Sequence, residues 1–199
     1  MVIGVLALQG AFAEHIRMLR GLGVDARPIR LPKALEAVDG LIIPGGESTT
    51  IGKLAMAYGL LEPIRQMAKA GKPIWGTCAG LILLADEVEE EIPIPLRLMH
   101  IRVQRNAFGR QVDSFEVDLT IPALDSIAHS EERGLPFHAV FIRAPRIVQV
   151  ESDVAILARL EDGTIAAAQQ ENLLATAFHP ELTRDTRFHR YFLSMLGMT

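Results

Sequence analysis

The sequence predicts an α/β fold of three layers, in which a mostly parallel central sheet carries helices on both faces and an additional antiparallel portion. Two observations carry this prediction. In the first part of the chain, short apolar runs alternate with amphipathic segments, which is the pattern of strands and helices in a parallel sheet. From about residue 97 the pattern changes to strands of alternating polarity, which indicates antiparallel or mixed pairing.

The first half of the chain is predicted as a series of strand and helix units. VIGVLAL at 2–8 predicts a buried strand, and Phe12, Ile16 and Leu19 recur at helical spacing until Gly21. Pro28 places the next strand near a sheet edge, because proline cannot donate to a neighbouring strand. The remaining predicted elements are strands at 24–30, 40–43 and 73–76, and helices at 33–38, about 50–70 and 81–85.

The second half is predicted to be richer in strands. DEVEEEIPIP at 86–95 predicts a surface loop, since its glutamates and prolines suit neither core nor sheet. Strands are predicted at 116–121, 139–143, 154–160 and 173–179, with a turn at Asp162 and Gly163 and a last helix at 184–196. No repeat and no domain boundary is evident, so residues 1–199 are predicted to form one domain.

Composition excludes several classes of function. A net charge of −4 and a pI near 5.9 provide no basic field for nucleic acid, which favours small molecules or proteins as partners. No run approaches the roughly 18 apolar residues of a membrane span. Because the chain begins directly with an apolar strand and no basic segment, we expect no signal peptide and a cytoplasmic protein.

The single cysteine, Cys78, lies in a motif that favours a catalytic role. One cysteine excludes an internal disulfide and a site built from several thiolates. GTCAG at 76–80 has the form glycine, any residue, nucleophile, any residue, glycine, between a predicted strand and an apolar helix. The small neighbours permit a sharp turn, and backbone N–H groups at the helix start favour a thiolate and can bind an oxyanion. The alternative is a buried cysteine in a glycine-rich turn.

A base for this cysteine is predicted at His179. It closes a buried strand in the phrase FHPE, and Glu181, two residues on, projects to the same side and can orient the imidazole. Cys78, His179 and Glu181 therefore form a candidate triad, against the alternative of a histidine at a strand end beside an exposed glutamate. Packed or solvated roles are the default for the other five histidines: His15, His100, His129, His138 and His189. The histidines and acids are too scattered for metal-ligand spacing, so no metal site is predicted.

PGGEST at 44–49 follows a predicted strand and provides a third candidate feature. Paired glycines at the carboxyl end of a parallel strand let backbone N–H groups face a ligand. A phosphate-binding loop is the competing interpretation, because Gly52 and Lys53 follow shortly. That motif requires glycine at 47 and a hydroxyl at 54, where this chain has Glu47 and Leu54.

Together, PGGEST, GTCAG and FHPE resemble the class I glutamine amidotransferase family, which has a flavodoxin-like fold. Within it, the chain is most similar to glutaminase subunits of pyridoxal 5'-phosphate synthases. The similarity runs from the first strand to the final helix, and its specific marks are LQG at 8–10, PGGESTT at 44–50, GTCAGLILLA at 76–85, QRNAFGRQVDSFE at 104–116 and FIRAP at 141–145.

The resemblance implies a Cys-His-Glu glutaminase that forms a γ-glutamyl thioester. It implies an oxyanion hole at Gly46 and Ala79, and a docking role for Gln9. Ammonia would pass through a tunnel to a (β/α)₈ synthase subunit that activates the glutaminase on docking. Pyridoxal 5'-phosphate would be a product of that complex, so no cofactor is expected on this chain. Glutamine would be held by Gly46, Glu47, Ser48, Arg105, Ile142 and Arg143.

Three other interpretations remain open. The first is a glutaminase subunit of another pathway, such as imidazole glycerol phosphate synthase, although Leu81 and Ile82 stand where that enzyme typically has glycine-x-glutamine. The second is a scaffold without catalysis, against which the complete triad counts. The third is a cysteine hydrolase or peptidase, which would give no reason for the arginines of the glutamine site.

Overall fold

The computed structural model describes residues 1–90, 96–105 and 114–197. The first part contains β1 (Val2–Leu6), α1 (Phe12–Gly21), β2 (Asp25–Ile29), α2 (Pro32–Leu35), β3 (Gly40–Ile43), α3 (Ser48–Ala57), α4 (Leu61–Lys69), β4 (Ile74–Thr77) and α5 (Ala79–Leu84). The second part contains β5 (Ala85–Val88), β6 (Met99–Gln104), β7 (Ser114–Leu119), β8 (Phe137–Ile142), β9 (Arg146–Val150), β10 (Ala155–Arg159), β11 (Ile165–Gln170), β12 (Leu173–Thr176) and α6 (Arg187–Ser194). Short 3₁₀ turns occur at Pro122–Ser126 and Pro180–Leu182.

The main sheet has a parallel half and a largely antiparallel half. Its strand order is β2-β1-β3-β4-β12-β11-β9-β6-β5, with β10 added beside β11. The strands from β2 to β12 pair in parallel and follow the flavodoxin-like order, with β12 in the fifth position. Beyond β12 the pairs are antiparallel, except β5 with β6, and β7 and β8 form a separate antiparallel pair. The predicted fold class is confirmed.

Side chains of β4 show how the helices cover both faces of the sheet. Successive strand residues point to opposite faces. Trp75 packs against His15 of α1 and against Phe188 of α6, so these two helices share one face. Gly76 faces the other side, where a Cβ would lie 2.5 Å from backbone atoms of Gly80 in α5. The core therefore lies in two layers, one on each side of the parallel strands.

Two element predictions are wrong. The helix expected from about 50 to 70 is two helices, because Gly59 adopts a φ of +68° and ends α3. The surface loop expected at 86–95 begins instead with β5, which pairs in parallel with β6. Residues 91–95 of that segment lie outside the described residues. The strands β6, β9 and β11 were not predicted individually.

The edge position of one predicted strand is confirmed, and two other predicted elements are present with shorter bounds. β2, which contains Pro28, is the edge strand of the parallel half, as the missing N–H predicts. The helix predicted at 33–38 is shorter, and the last strand ends at Thr176 instead of 179. Among the described residues, no helix combines the length and the apolar character that crossing a bilayer requires.

Candidate active site

The loops that follow β1, β3, β4 and β12 meet at the carboxyl edge of the parallel strands. They bring Gln9, the PGGEST loop, Cys78 and His179 to one open cleft with a volume of about 390 Å³. Open α/β sheets place their sites at this edge. The residues that line the cleft are Gln9, Gly46, Glu47, Ser48, Cys78, Ala79, Ile82, Arg105, Ile142, Arg143 and His179.

The turn that carries Cys78 is strained. Cys78 has φ +47° and ψ −102°, a backbone region that residues with a Cβ rarely adopt, and α5 begins at the next residue. The N–H of Cys78 donates to Thr176 O of β12 at 2.8 Å. A Cβ at Gly80 would lie 1.9 Å from Ile43 O. The last residue of GTCAG must therefore be glycine for α5 to pack closely against β3. The turn has the geometry of a nucleophile elbow.

His179 is hydrogen-bonded to Glu181 and lies in the same cleft as Cys78. Its Nδ1 lies 2.8 Å from Glu181 Oε1, and its ring lines the cleft together with Cys78. Burial would lower the pKa of His179, but the hydrogen bonds to Cys78 and Glu181 outweigh burial and raise that pKa to about 10. These interactions favour the protonated form of the ring. Glu181 itself does not line the cleft and its side chain is buried behind His179.

The PGGEST loop is held close to the triad by its glycines. A Cβ at Gly45 would lie 2.3 Å from His179 Cε1, and one at Gly46 would meet the side-chain oxygen of Gln9. The Gly45 N–H donates to Thr77 Oγ1 at 3.0 Å, and the Glu47 N–H donates to Gln9 Oε1 at 2.7 Å. Both bonds fix the loop on the side chains of neighbouring strand ends.

Glu47 and Arg105 meet at the rim of the cleft. The Glu47 carboxylate caps α3 by accepting from the N–H groups of Thr49 and Thr50, and the bond from the Thr50 hydroxyl contributes most to lowering the Glu47 pKa to about 2. Arg105 Nη2 lies 3.5 Å from Glu47 Oε1 and donates to Thr49 Oγ1 at 3.3 Å. The cleft therefore presents a fixed carboxylate and a guanidinium side by side. Both signs of charge are available to a zwitterionic ligand.

FIRAP forms the opposite side of the cleft. Cys78 Sγ lies 3.9 Å from Ile142 O at the end of β8, and Arg143 follows with φ +42°. Arg143 is exposed and lines the cleft. The structure thus brings all the residues predicted for glutamine binding to one cleft. Residues 106–113 of the QRNAFGRQVDSFE mark lie outside the described residues.

Sequence reasoning missed three polar residues behind the triad: His15 of α1, Thr77 of β4 and His189 of α6. All three are fully buried. The helical spacing held a signal, since His15 lies between Phe12 and Leu19 on the apolar face of α1. That spacing predicts burial but not which residue the imidazole contacts.

One further cluster lies outside the cleft. The fold brings ligand atoms of His100, Glu151 and Asp153 within 4.8 Å of one another, although the histidines and acids appear scattered along the sequence. All three residues are exposed, and His100 Nδ1 lies 2.8 Å from Asp153 Oδ2. An ion-paired surface cluster accounts for this arrangement, and the prediction of no metal site stays a prediction.

Comparison with known proteins gives concordant matches over the whole chain. The profile of the SNO glutamine amidotransferase family matches residues 5–198. A Herpetosiphon aurantiacus protein named pyridoxal 5'-phosphate synthase subunit PdxT is 60% identical over 198 residues, covering 98% of this chain and 100% of its own. A protein of the same name from Moorella thermoacetica is 58% identical over 197 residues, covering 99% and 100%.

Solved structures agree with this match. A crystal structure described as a glutamine amidotransferase is 46% identical, covers 100% of both chains and has a TM-score of 0.90. The structure of PurLQS from Thermotoga maritima is 19% identical, covers 98% of this chain and 97% of its own, and has a TM-score of 0.73. The second likeness shows a shared fold.

Proposed function

This chain belongs to the SNO glutamine amidotransferase family, and from that membership we propose that it hydrolyses L-glutamine to glutamate and supplies the ammonia for synthesis of pyridoxal 5'-phosphate. The observation that carries the proposal is the contact of Cys78, His179 and Glu181 at the base of the cleft. A strained cysteine beside an oriented imidazole is the arrangement that acyl transfer from an amide requires. All 199 residues act as a single glutaminase domain.

The reaction begins with the Cys78 thiolate attacking the side-chain amide carbon of glutamine. The carbonyl oxygen becomes an oxyanion, which backbone N–H groups of Gly46 and Ala79 stabilise. The His179 imidazolium donates its proton to the amide nitrogen, the C–N bond breaks, and ammonia leaves. The product on the enzyme is a γ-glutamyl thioester.

Hydrolysis of the thioester uses the same groups, but His179 now acts as a base and not as an acid. His179, now neutral, takes a proton from water, and the resulting hydroxide attacks the thioester carbon. The C–S bond breaks, glutamate leaves, and the thiolate and imidazolium are restored. Glu181 holds Nδ1 of the ring throughout and stabilises its positive charge.

Glutamine recognition requires partners for one carboxylate and one ammonium group. Arg105 and Arg143 offer guanidinium groups to the carboxylate, and the Glu47 carboxylate at the rim carries the opposite charge for the ammonium group. Backbone groups of Gly46, Ser48 and Ile142 complete the site. The capping bonds of Glu47 keep its carboxylate ionised and in place while the ligand binds.

The acceptor of the ammonia is a synthase subunit, which we expect to be a (β/α)₈ barrel in a hetero-oligomeric complex. Relatives of 58–60% identity are named as subunits of that synthase. Gln9 is half-buried at the rim and bonds to the Glu47 N–H, so a partner that contacts Gln9 can act on the PGGEST loop. Cytoplasmic reductants keep thiols such as Cys78 free, which favours the cytoplasm as the location.

Glutamate release from glutamine tests this function directly. The purified chain is assayed alone and with a pyridoxal 5'-phosphate synthase subunit, with Cys78→Ala as the control. We expect release that rises at least ~10-fold with the subunit and disappears in the variant. Glutamate release that does not change when the subunit is added would instead indicate another amidotransferase or a free-standing hydrolase. No release in either condition would indicate a scaffold.

A further inference from the structure

Two buried histidines lie behind the triad. Each belongs to one of the two helices that pack on the same face of the sheet. His15 of α1 and His189 of α6 have no exposed surface, and His15 Nδ1 lies 2.9 Å from His189 Nε2. Neither residue belongs to the mechanism given above. A buried imidazole pair is costly to desolvate unless its polar atoms have partners, so its contacts need an explanation.

His15 reaches both the acid of the triad and the loop of the oxyanion hole. Its Nε2 lies 3.3 Å from Glu181 Oε2 and 3.3 Å from Thr77 Oγ1. Thr77 Oγ1 in turn accepts the N–H of Gly45. One imidazole nitrogen therefore hydrogen-bonds to the hydroxyl that fixes the PGGEST loop and lies beside the carboxylate that orients His179.

The second oxygen of Glu181 makes no hydrogen bond in the described part of the chain, and His15 Nε2 lies 3.3 Å from it. Oε1 is used by His179 at 2.8 Å, whereas Oε2 is buried and makes no hydrogen bond of full geometry with any described residue. His15 Nε2 is the nitrogen recorded near it. A buried carboxylate oxygen gains more from a nearby N–H than an exposed one, because water cannot compensate.

We assign the tautomers of both rings from the contact with Glu181. A lone pair on His15 Nε2 would face a carboxylate oxygen at 3.3 Å, so this nitrogen carries the proton. His15 Nδ1 is then an acceptor and takes the proton of His189 Nε2. The remaining atom, His189 Nδ1, is an unprotonated nitrogen without a hydrogen-bond partner among the described residues. An acceptor left unpaired costs less than an unpaired N–H.

Both rings are neutral, as this assignment requires. Burial, followed by the charges of His189 and His179, holds the pKa of His15 well below its usual range, and burial lowers the pKa of His189 to about 3. A second cation beside Glu181 would compete with the His179 imidazolium for the same carboxylate. A neutral N–H can orient the Glu181 carboxylate without competing with the His179 imidazolium for its negative charge.

We propose that His15, held by His189, is a positioning residue for the glutaminase reaction: its Nε2–H fixes Glu181 and, through Thr77, the PGGEST loop. The chain of contacts runs from Cys78 through His179, Glu181 and His15 to His189. Loss of the N–H lets the carboxylate turn away from His179, so the imidazolium and its paired thiolate are less stable. This inference rests on the proposed function, but its effect on Cys78 can be measured without glutamine.

The matched variants are His15→Gln and His15→Leu. The side-chain amide of glutamine presents an N–H near the place of Nε2, whereas leucine fills similar space without a donor. In complex with the synthase subunit, we expect His15→Leu to lower kcat for glutamate release by about 10- to 100-fold with KM within about 3-fold of wild type. His15→Gln should recover kcat to within about 5-fold of wild type.

Alkylation of Cys78 supplies a second readout that needs no glutaminase activity. Because the chain has one cysteine, iodoacetamide labelling of the folded protein reports on Cys78. The pH of half-maximal alkylation rate should rise by about one unit in His15→Leu and stay near wild type in His15→Gln. Leu19→Ala, a cavity variant on the same helix, should lower Tm but leave this pH and kcat unchanged.

Opposite results would overturn the inference. A His15→Leu protein with wild-type kcat and alkylation profile would show that Glu181 needs no N–H from His15. The same conclusion follows if His15→Gln and His15→Leu lose activity equally while both retain the near-UV circular dichroism of wild type. An inactive wild-type complex with an intact alkylation shift would refute the proposed function and leave the contact chain supported.

Discussion

Single glycines determine how closely the parts of the site approach each other. Gly45 lies against the His179 ring, Gly46 against the Gln9 side chain, and Gly80 against the backbone of β3. Each position lacks the space for one additional carbon. The site therefore depends on residues with no side chain as strongly as on its charged ones.

Gly45→Ala tests this dependence. The new Cβ would lie 2.3 Å from His179 Cε1, so either the loop or the imidazole must move. We expect kcat for glutamate release in the synthase complex to fall by at least about 100-fold, since displacements near 1 Å can cost that much. Far-UV and near-UV circular dichroism establish whether the variant is folded.

Gly21→Ala is the matched control, because its Cβ meets no atom within 4 Å. Gly21 lies in the last turn of α1, away from the cleft. Its kcat should equal that of wild type. A folded Gly45→Ala protein with kcat within 3-fold of wild type would refute the argument that the loop and the imidazole are in close contact.

At the scale of elements, the end of α3 shows how one residue divides a helical segment. Gly59 has a φ of +68°, its N–H bonds to Met56 O at 3.0 Å, and the N–H of Leu60 bonds to Ala55 O at 2.8 Å. This is a Schellman motif, in which a left-handed residue reverses the chain. It lets α4 begin at Leu61 with a new direction.

Gly59→Ala should destabilise the protein without affecting the site. The position has open space, so the expected cost of about 1 kcal/mol in free energy of unfolding comes from the left-handed backbone alone. Urea denaturation followed by circular dichroism measures this free energy. Gly21→Ala is the comparison, because Gly21 has a helical backbone conformation. Equal unfolding free energies for the two variants would contradict the role assigned to the backbone conformation.

For the whole molecule, the packing of α1 and α6 on one sheet face makes stability depend on pH. His189 is fully buried with a pKa of about 3, whereas an unfolded histidine has a pKa near 6.5. At pH values between these two pKa values, the unfolded state therefore binds a proton on His189 that the folded state does not bind. Stability rises with pH through this range and is lost as the pH falls below about 6.5.

We expect His189 alone to lower the free energy of unfolding by about 2 kcal/mol between pH 7 and pH 5. Denaturation curves of wild type and His189→Leu across this range measure the effect. The variant removes this titration, so the difference in stability between the two proteins should shift in favour of the variant by about that amount at pH 5. A difference that stays constant with pH would mean that folding leaves the pKa of His189 unchanged.

The sequence by itself determined much of the fold and the front of the site. Hydrophobic periodicity and turn residues are local signals, and they predicted β1, α1, the edge position of β2, and a turn at Cys78. Cys78, His179 and the PGGEST loop were each recognised at the end of a predicted strand, and the family resemblance assigned all three to one site. The predicted contact of Glu181 with His179 is present, although a 3₁₀ turn at Pro180–Leu182 forms it and not the extended segment that the prediction assumed.

Only the tertiary structure decided what stands behind the triad. His15 and His189 are 174 residues apart, and the periodicity of α1 and α6 shows that each is buried without showing that they touch. Their contact depends on two helices packing on the face of the sheet that bears Trp75 and Thr77. Periodicity reports the face of an element, whereas a hydrogen bond requires the relative position of two elements, and packing of the whole core sets that position.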